Sequence, residues 1–557
     1  MHRRCPLKRF IAAAGLVVCA VAALPATEAV DLDMVTKIRL EEFNNSKVME
    51  TASELMDRIG PRLTGSPQMK EANEWTKERL SGWGLANARL ESWGPFGRGW
   101  TWEGCSVRMT APTKTQLVAI PEAWTAGTSG PIRGAAARLN IKEVSELEGL
   151  KGHFGGKIVF VGEARDIGLR EKPDSQRYDE ERLEAEFLYE MPGGPPRYNR
   201  AEYAKRREIR KAVNKFLEDE KALAIVSPGR GDMGTFNVQG GGTWKKGDPQ
   251  GLPSLSMEPE HFGRVARLLD RSVPVEIEMD VQAHFIEEDL MQWNTIAEIP
   301  GGDKKDEVVM LGAHLDSWHG ATGATDNGAG SVVAMEAMRI LKAVGVKPRR
   351  TIRIGLWSGE EQALYGSQAY VAQHFASRPE PSAEEKEKPF YLRKKTGPLT
   401  VKPEHAKLSA YFNLDNGSGK IRGIYCEDNA AVAPIFREWL APFADLGATL
   451  VTLNRTGGTD HESFDDVGLP AFQFVQDELE YETRTHHTNM DLYERLQKND
   501  LMQASAIMAA FAYNAAMREG MIPRKPMPKD EPAKAEPAKA APAPAPVKAP
   551  EEAAPHH

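Results

Sequence analysis

Two histidines and five carboxylic acids occupy positions from which they could bind metal ions. They follow apolar segments or lie in glycine-rich loops, as in LGAHLDSWHGATGATDNGAG between residues 311 and 330. The set consists of His314, Asp316, Asp326, Glu360, Glu361, Asp415 and His487. Imidazole nitrogens and carboxylate oxygens are ligands that suit Zn²⁺. The residue types therefore predict a zinc site built without cysteine.

The number of these residues is enough for two metal ions. One aspartate can bridge both ions, and each ion then needs one histidine and one further carboxylate. One glutamate of the adjacent pair Glu360 and Glu361 is left over as a general base. Two zinc ions about 3.5–4 Å apart would hold a hydroxide between them. This arrangement predicts hydrolysis of a peptide or amide bond.

The same residues also have purely structural interpretations. His314 could be a core histidine that hydrogen-bonds to Asp316, and Asp326 could cap the helix that follows it. The glutamate pair could begin a solvent-exposed helix, where the helix dipole favours acidic side chains. His461, in GGTDHESF, is interpreted as structural or supporting rather than catalytic.

The segments that carry the set alternate between strand and helix patterns from about residue 286. EVVMLGAHLDS is predicted to be a strand, and SVVAMEAMRILKAVG a helix that glycine ends. RRTIRIGLWSGEE and KLSAYFNLDNGSG continue the alternation, which is typical of an α/β fold with a mostly parallel central sheet and helices on both faces. Ligands bind beyond the carboxyl ends of the strands in such sheets, which is where the set lies.

Composition and net charge indicate which classes of molecule the protein could bind. The chain has 557 residues, of which 41% are apolar and 27% charged, as in soluble globular proteins of several domains. Its formal net charge of −8 gives no support for nucleic acid or an anionic membrane as partner. We expect a peptide substrate instead.

The N-terminus predicts export. MHRRCPLKR is basic, and FIAAAGLVVCAVAAL is apolar but short for a membrane span. ATEA offers a cleavage site after Ala29, although a buried helix or an uncut anchor is the alternative. After cleavage no membrane contact is expected, and the protein would be periplasmic or secreted. Cys105 and Cys426 would then be the remaining cysteines, which could pair but make no disulfide framework.

Five segments together resemble the motif series of metallopeptidase family 28, the family of co-catalytic zinc aminopeptidases and glutamate carboxypeptidases. They are GAHLDSWHGATGATDNGAG, WSGEEQALYGSQAY, FNLDNG, GTDHESFDDVGLPAF and HHTNMD. IGPRLTGS and KPRRTIRIGLWSGEEQ resemble the plasma glutamate carboxypeptidase branch, also called the carboxypeptidase Q branch. The resemblance extends from about residue 50 to about residue 515.

The resemblance implies a role for each metal ligand. Asp326 is implied as the carboxylate that bridges two zinc ions. His314 and Asp415 would complete the ligands of one ion. Glu361 and His487 would complete those of the other.

Two further roles are implied by the same resemblance. Glu360 would be the general base, and the side chain of Asp316 would hydrogen-bond the far nitrogen of His314 and so fix its orientation. The reaction implied is exopeptidase cleavage of dipeptides or short peptides of the aminopeptidase or dipeptidase type, and the resemblance also implies a homodimer. A single-zinc glutaminyl cyclase-like acyl transferase and a non-catalytic receptor-like scaffold are the alternatives.

The resemblance, together with changes in composition and in helix and strand patterns along the chain, predicts five regions. Residues 1–29 are the signal peptide, and residues 30–114 are the N-terminal part of the catalytic domain. Residues 115–285 are an inserted β-rich protease-associated domain that carries a charged helical excursion. Residues 286–522 are the main catalytic part. Residues 523–557, rich in proline and alanine, are a disordered tail.

Overall fold

The structure, a computed structural model, describes residues 28–191, 200–382 and 397–529, together with residues 385, 388 and 393. The predicted signal peptide therefore lies almost entirely outside the described residues, as does most of the predicted tail. Within the described residues, none of the helices combines the length and apolar character needed to cross a membrane.

The α-helices of the described residues are numbered in chain order. They are α1 Leu32–Asn45, α2 Val48–Ser53, α3 Pro67–Gly82, α4 Glu180–Phe187, α5 Arg200–Asp219, α6 Pro259–Asp270, α7 Ala329–Ala343, α8 Tyr365–His374, α9 Ala433–Leu440, α10 His461–Asp465 and α11 Lys498–Met517.

The strands of the described residues form two eight-stranded sheets and one short pair. They are β1 Ala86–Trp93, β2 Gly99–Ala111, β3 Thr115–Leu117, β4 Ala119–Pro121, β5 Ile132–Leu139, β6 Ile158–Val161, β7 Ala224–Pro228, β8 Ser254–Met257, β9 Glu276–Ile286, β10 Gln292–Ile299, β11 Lys304–His314, β12 Arg350–Trp357, β13 Ala376–Ser377, β14 Thr400–Val401, β15 Leu408–Asn413, β16 Ile421–Tyr425, β17 Leu450–Thr452 and β18 Ala471–Gln476.

The first sheet has the strand order β1-β10-β12-β11-β15-β18-β16-β17. Its central strands β12, β11, β15 and β18 run parallel. Helices α7 and α11 pack on one face, and the other face is covered by α8 and α10, through residues such as Tyr370 and Phe464. Strand β11 is buried on both faces from Val308 to His314, as expected for a strand between two helical layers. The predicted fold class is confirmed.

The second sheet has the order β3-β2-β9-β5-β6-β7-β8-β4 and its own apolar cores. Helix α6 packs on one face through Phe262 and Val265, and α5 packs on the other through Val213 and Leu217. This sheet begins at Gly99, before the boundary at residue 114 that the sequence predicts, because β2 pairs along its length with β9. We refer to residues 99–286 as the second unit.

Two smaller features bear on the sequence interpretation. Cys105 lies in the second sheet and Cys426 follows a strand of the first, and both are free thiols whose pKa burial raises to about 12. The chain is also still packed beyond residue 523, where the tail was predicted to begin. Arg524 donates hydrogen bonds to the carbonyl groups of His405 and Leu408, which lie at the start of β15.

Candidate metal centre

Neighbouring parallel strands of the first sheet deliver most of the predicted residues to one edge. Strand β11 ends at His314, and the glutamate pair Glu360 and Glu361 follows shortly after β12. Asp415 follows shortly after β15. Since β12, β11 and β15 are adjacent and parallel, their carboxyl ends meet, and the side chains that follow them converge.

A glycine-rich loop brings Asp326 to the same place. The loop closes tightly: a Cβ at Gly323 would lie 2.3 Å from the Cβ of Ser317, and Gly323 has φ +60°. The backbone leaves the helical conformation at Asp326, with φ −129° and ψ 93°, just before α7 begins. Its amide N–H donates to the carboxylate of Asp491 at 3.1 Å, and the N–H of Thr325 donates to the same carboxylate at 2.6 Å.

Asp326 lies between the two histidines. Its Oδ1 is 3.3 Å from Nε2 of His314, and its Oδ2 is 3.0 Å from Nε2 of His487. His314 Nε2 also lies 3.4 Å from Oδ1 of Asp415, and His487 Nε2 lies 3.0 Å from Oε2 of Glu361. Each histidine is thus accompanied by Asp326 and by one further carboxylate.

The neighbouring histidine His486 is less well placed. Its Nε2 lies 3.8 Å from Asp326 Oδ2, and its ring stacks on Tyr481 with the centroids 4.6 Å apart. It can nevertheless bring a ligand atom to within 4.8 Å of those of Asp326 and His487. His487 is the histidine of the pair that contacts two carboxylates at short distance, as expected of a ligand.

The chemistry of this centre fits a cation. His314 Nε2, Glu361 Oε1 and Asp415 Oδ1 are buried, and none of them has a hydrogen-bond partner among the described residues. A buried polar atom without a partner costs about 1–3 kcal/mol. Three such atoms in one cluster of nitrogen and oxygen ligands are what a site completed by metal ions would leave.

The shifted pKa values of the cluster also favour a bound cation. Burial raises the pKa of Glu361 to about 7, and the charge of Asp326 adds to the effect. Burial alone would lower the pKa of His314 and that of His487, but the surrounding carboxylates raise both well above 6.5. Protons thus balance the negative charge of the cluster, and a bound metal ion would displace them.

Glu360 stands beside this cluster. Its Oε2 lies 3.9 Å from Nε2 of His314. Burial raises the pKa of Glu360 well above its ordinary range; the charge of His314 opposes the rise, and Asp415 adds to it. A carboxylate with a raised pKa is a stronger base and is suited to accept a proton near neutral pH.

Asp316 makes contacts that differ from those expected. Nδ1 of His314 lies 3.0 Å from the backbone carbonyl oxygen of Asp316 but 3.7 Å from its carboxylate. The carboxylate instead accepts hydrogen bonds from the Thr64 hydroxyl at 3.0 Å and from the N–H groups of Glu360 and Glu361 at 3.2 and 3.3 Å. Asp316 thus orients His314 through its main chain and the glutamate pair through its side chain.

His461 lies outside both groups of potential metal ligands. Its side chain is fully buried, with Nε2 3.3 Å from the carbonyl oxygen of Thr456 and 3.5 Å from a carboxylate oxygen of Glu427. These contacts agree with the structural or supporting interpretation.

Three further residues at the centre were not identified from the sequence. Arg62, in IGPRLTGS, donates hydrogen bonds to the backbone carbonyls of Gly60 and Leu315 and to two carbonyls of residues 316–328, which we call the metal-site loop. The carboxylate of Asp491 accepts hydrogen bonds from the backbone N–H groups of Thr325 and Asp326. Gln239, from the second unit, lies 3.0 Å from Nδ1 of His487. Arg62 lies in the motif IGPRLTGS and Asp491 in the motif HHTNMD, whereas nothing in the sequence around Gln239 indicates a site residue.

Comparison with known proteins agrees with this geometry. A sequence model described as Peptidase family M28 matches residues 294–512. The chain is 27% identical to Carboxypeptidase Q of Bos taurus over 474 residues, which are 84% of this chain and 85% of that protein. It is 26% identical to Carboxypeptidase Q of Mus musculus, over 84% and 86% of the two chains.

Solved structures share the fold. A Peptidase M28 precursor from Shewanella amazonensis superposes with a TM-score of 0.62 at 21% identity, covering 89% of this chain and 98% of the other. BSAP, a zinc aminopeptidase from Bacillus subtilis, gives a TM-score of 0.53 at 17% identity, covering 85% and 95%. Residues 294–512 thus match the model of peptidase family M28, and this match, with the similarity to Carboxypeptidase Q over most of the chain, identifies a metallo-exopeptidase.

Proposed function

We propose that the chain is an exported zinc exopeptidase that hydrolyses dipeptides or short peptides from a free N-terminus. The observation that carries this proposal is the position of Asp326, which presents one carboxylate oxygen to each of two histidines. Each histidine is in turn close to a second carboxylate, so that the cluster offers three residues to each of two ions, with Asp326 common to both sets.

The ligand sets follow from these contacts. His314, Asp326 and Asp415 would hold one zinc ion, and Asp326, Glu361 and His487 the other. Bound zinc lowers the pKa of water and polarises the scissile carbonyl group.

Glu360 is the proposed general base. It takes a proton from the attacking water molecule and delivers it to the nitrogen of the leaving amine, which departs as the peptide bond breaks. Asp316 fixes the backbone N–H of Glu360 and so keeps this carboxyl group beside the cluster.

The remaining regions keep their proposed roles. Residues 1–29 direct export, and the second unit is a protease-associated domain inserted in the peptidase. N-terminal sequencing of the protein recovered from the exported fraction tests the first role, and a mature chain that begins at Val30 is expected.

The reaction is tested with Glu360→Gln, which keeps the size of the side chain and removes its basicity. Wild type and variant should each bind about two zinc ions per chain, and the variant should lose about 10²–10⁴-fold in kcat on a dipeptide panel. Glu438→Gln, at an exposed glutamate of α9, is the matched control and should leave kcat unchanged. One zinc or none in the wild type, or full activity of Glu360→Gln, would refute the mechanism.

A further inference from the structure

The second unit contacts the loop that carries His487. Its 234–239 segment runs alongside that loop, and the N–H of Val238 donates to the carbonyl oxygen of His487 at 2.9 Å. The N–H of Asn489 donates to the carbonyl oxygen of Phe236 at 3.1 Å, and the Asn489 side chain accepts from the N–H of Phe236 at 2.8 Å. The two segments are thus joined by main-chain hydrogen bonds at His487 and at Asn489.

His487 needs such support. It has φ +58°, a backbone conformation that residues other than glycine adopt rarely. A side chain on this backbone is held in place only if its surroundings fix it. The contacts from the second unit are made at this residue and just after it.

One side chain of the segment reaches the imidazole itself. The carboxamide nitrogen Nε2 of Gln239 lies 3.0 Å from Nδ1 of His487, while Nε2 of the same ring faces Asp326 and Glu361. The rings of Trp318 and His486 flank the imidazole, with centroids 6.2 and 3.9 Å away.

The tautomer of His487 decides which partner donates. An imidazole that binds a metal ion through Nε2 carries its proton on Nδ1. Nδ1–H must then donate, and the Gln239 carboxamide accepts through Oε1. A carboxamide can present either its oxygen or its NH₂ group by a half-turn, so Gln239 is able to serve the metal-binding tautomer.

We propose that Gln239 is a positioning residue for the ligand His487, by which the second unit fixes the tautomer and orientation of one zinc ligand. This inference rests on the proposed function, because it requires that His487 bind zinc. It assigns to the second unit a direct part in building the metal centre, in addition to any contact with substrate.

Two substitutions at one position separate hydrogen bonding from packing. Gln239→Met keeps the length of the side chain but cannot accept from Nδ1–H, whereas Gln239→Glu can accept and adds a negative charge. The dissociation constants of the two zinc ions are measured by competition with a chelator. Gln239→Met should weaken one of the two ions by about 10–100-fold, the usual effect of losing such a partner. Gln239→Glu should bind both as tightly as wild type or more tightly.

Gln282→Met, at an exposed glutamine on β9, is the control and should leave both constants unchanged. Melting temperatures of the metal-free proteins show whether Gln239→Met folds like wild type. If it does not fold, Gln239→Glu still decides, because weaker zinc binding in that variant would overturn the inference.

The remaining outcomes distinguish this inference from the proposed function. Wild-type zinc affinity in Gln239→Met, or equal loss in both variants, overturns the role of Gln239 and leaves the two-zinc peptidase intact. A wild-type protein that binds no zinc overturns the proposed function and the inference with it.

Discussion

Arg62→Lys tests how strongly the metal-site loop depends on one guanidinium group. The Arg62 side chain is fully buried. Its Nε donates to the carbonyl oxygen of Leu315 at 2.6 Å, and its Nη2 donates to that of Gly323 at 2.8 Å. Its Nη1 donates to the carbonyls of Gly60 and Thr322 at 2.9 and 2.8 Å. One side chain thus joins Leu315, just after β11, to the metal-site loop and to Gly60.

A lysine at this position would keep the charge but lose the planar, forked arrangement of N–H donors that a guanidinium group provides. Its three donors sit on a single nitrogen and cannot reach carbonyls arranged around a planar guanidinium. At least two of the four carbonyls should lose their partner, and each buried group left unpaired costs about 1–3 kcal/mol. We therefore expect the free energy of unfolding of the unit that contains the first sheet to fall by roughly 3 kcal/mol.

The assay is urea unfolding of zinc-loaded protein, followed by tryptophan fluorescence. Because the m-value rises with size and is about 3 kcal/mol/M or more for a protein beyond the small domains, the midpoint should fall by about 1 M or somewhat less. Arg58→Lys is the matched control. Arg58 lies nearby but is half-exposed and pairs with Glu54 and Glu71, so its replacement should change the free energy by about 0.5 kcal/mol or less. Equal midpoints for Arg62→Lys and wild type would refute the reasoning.

Three further predictions concern the metal site and a carboxyl pair remote from it. Asp491→Asn leaves one acceptor for the N–H groups of Thr325 and Asp326, so zinc affinity should fall by about 10-fold or more in chelator competition; an unchanged affinity would contradict the role of Asp491. Removal of zinc by chelator should lower the melting temperature, and added zinc should restore it, because a ligand bound to the native state alone stabilises that state; identical melting curves would contradict a structural contribution of zinc. Burial and the charge of Glu336 raise the pKa of Glu42 to about 9, so its carboxyl group is protonated in the folded protein and ionised in the unfolded chain between about pH 4.5 and pH 9. Stability should therefore fall as the pH rises through this window, and Glu42→Gln should reduce that slope in urea midpoints measured from pH 5 to pH 9; parallel slopes would contradict the assignment.

The sequence was sufficient to predict which side chains come together at one edge of the first sheet. Histidines and carboxylates that follow apolar runs in a strand–helix alternation must lie at one edge of a parallel sheet, because the strands all point the same way. His314, the glutamate pair and Asp415 obey this rule, since β11, β12 and β15 are neighbours. The prediction therefore depends on the shared direction of these strands and not on any contact between the residues.

The sequence was not sufficient to predict how those residues are held. His314 and Asp316 are adjacent enough that either the carbonyl or the carboxylate of Asp316 could face the imidazole, and sequence spacing does not choose between them. Gln239 is 248 residues from His487, and Arg62 is 253 residues from Leu315, so these contacts depend on how distant segments of the chain fold together. Glutamine and arginine are also common surface residues, and neither stands out before the chain is folded.

The origin of these contacts bears on what makes the centre functional. Residues 294–512, which match the peptidase family, contain every proposed ligand and the proposed base. Arg62, which joins the metal-site loop to β11, Thr64, which binds Asp316, and Gln239, which binds His487, all lie outside that range. A metal site needs its ligands oriented to within a fraction of an ångström, and the groups behind the ligands supply that precision. The N-terminal segment and the second unit therefore supply contacts behind the proposed ligands, and the 294–512 segment alone would carry those ligands without these contacts.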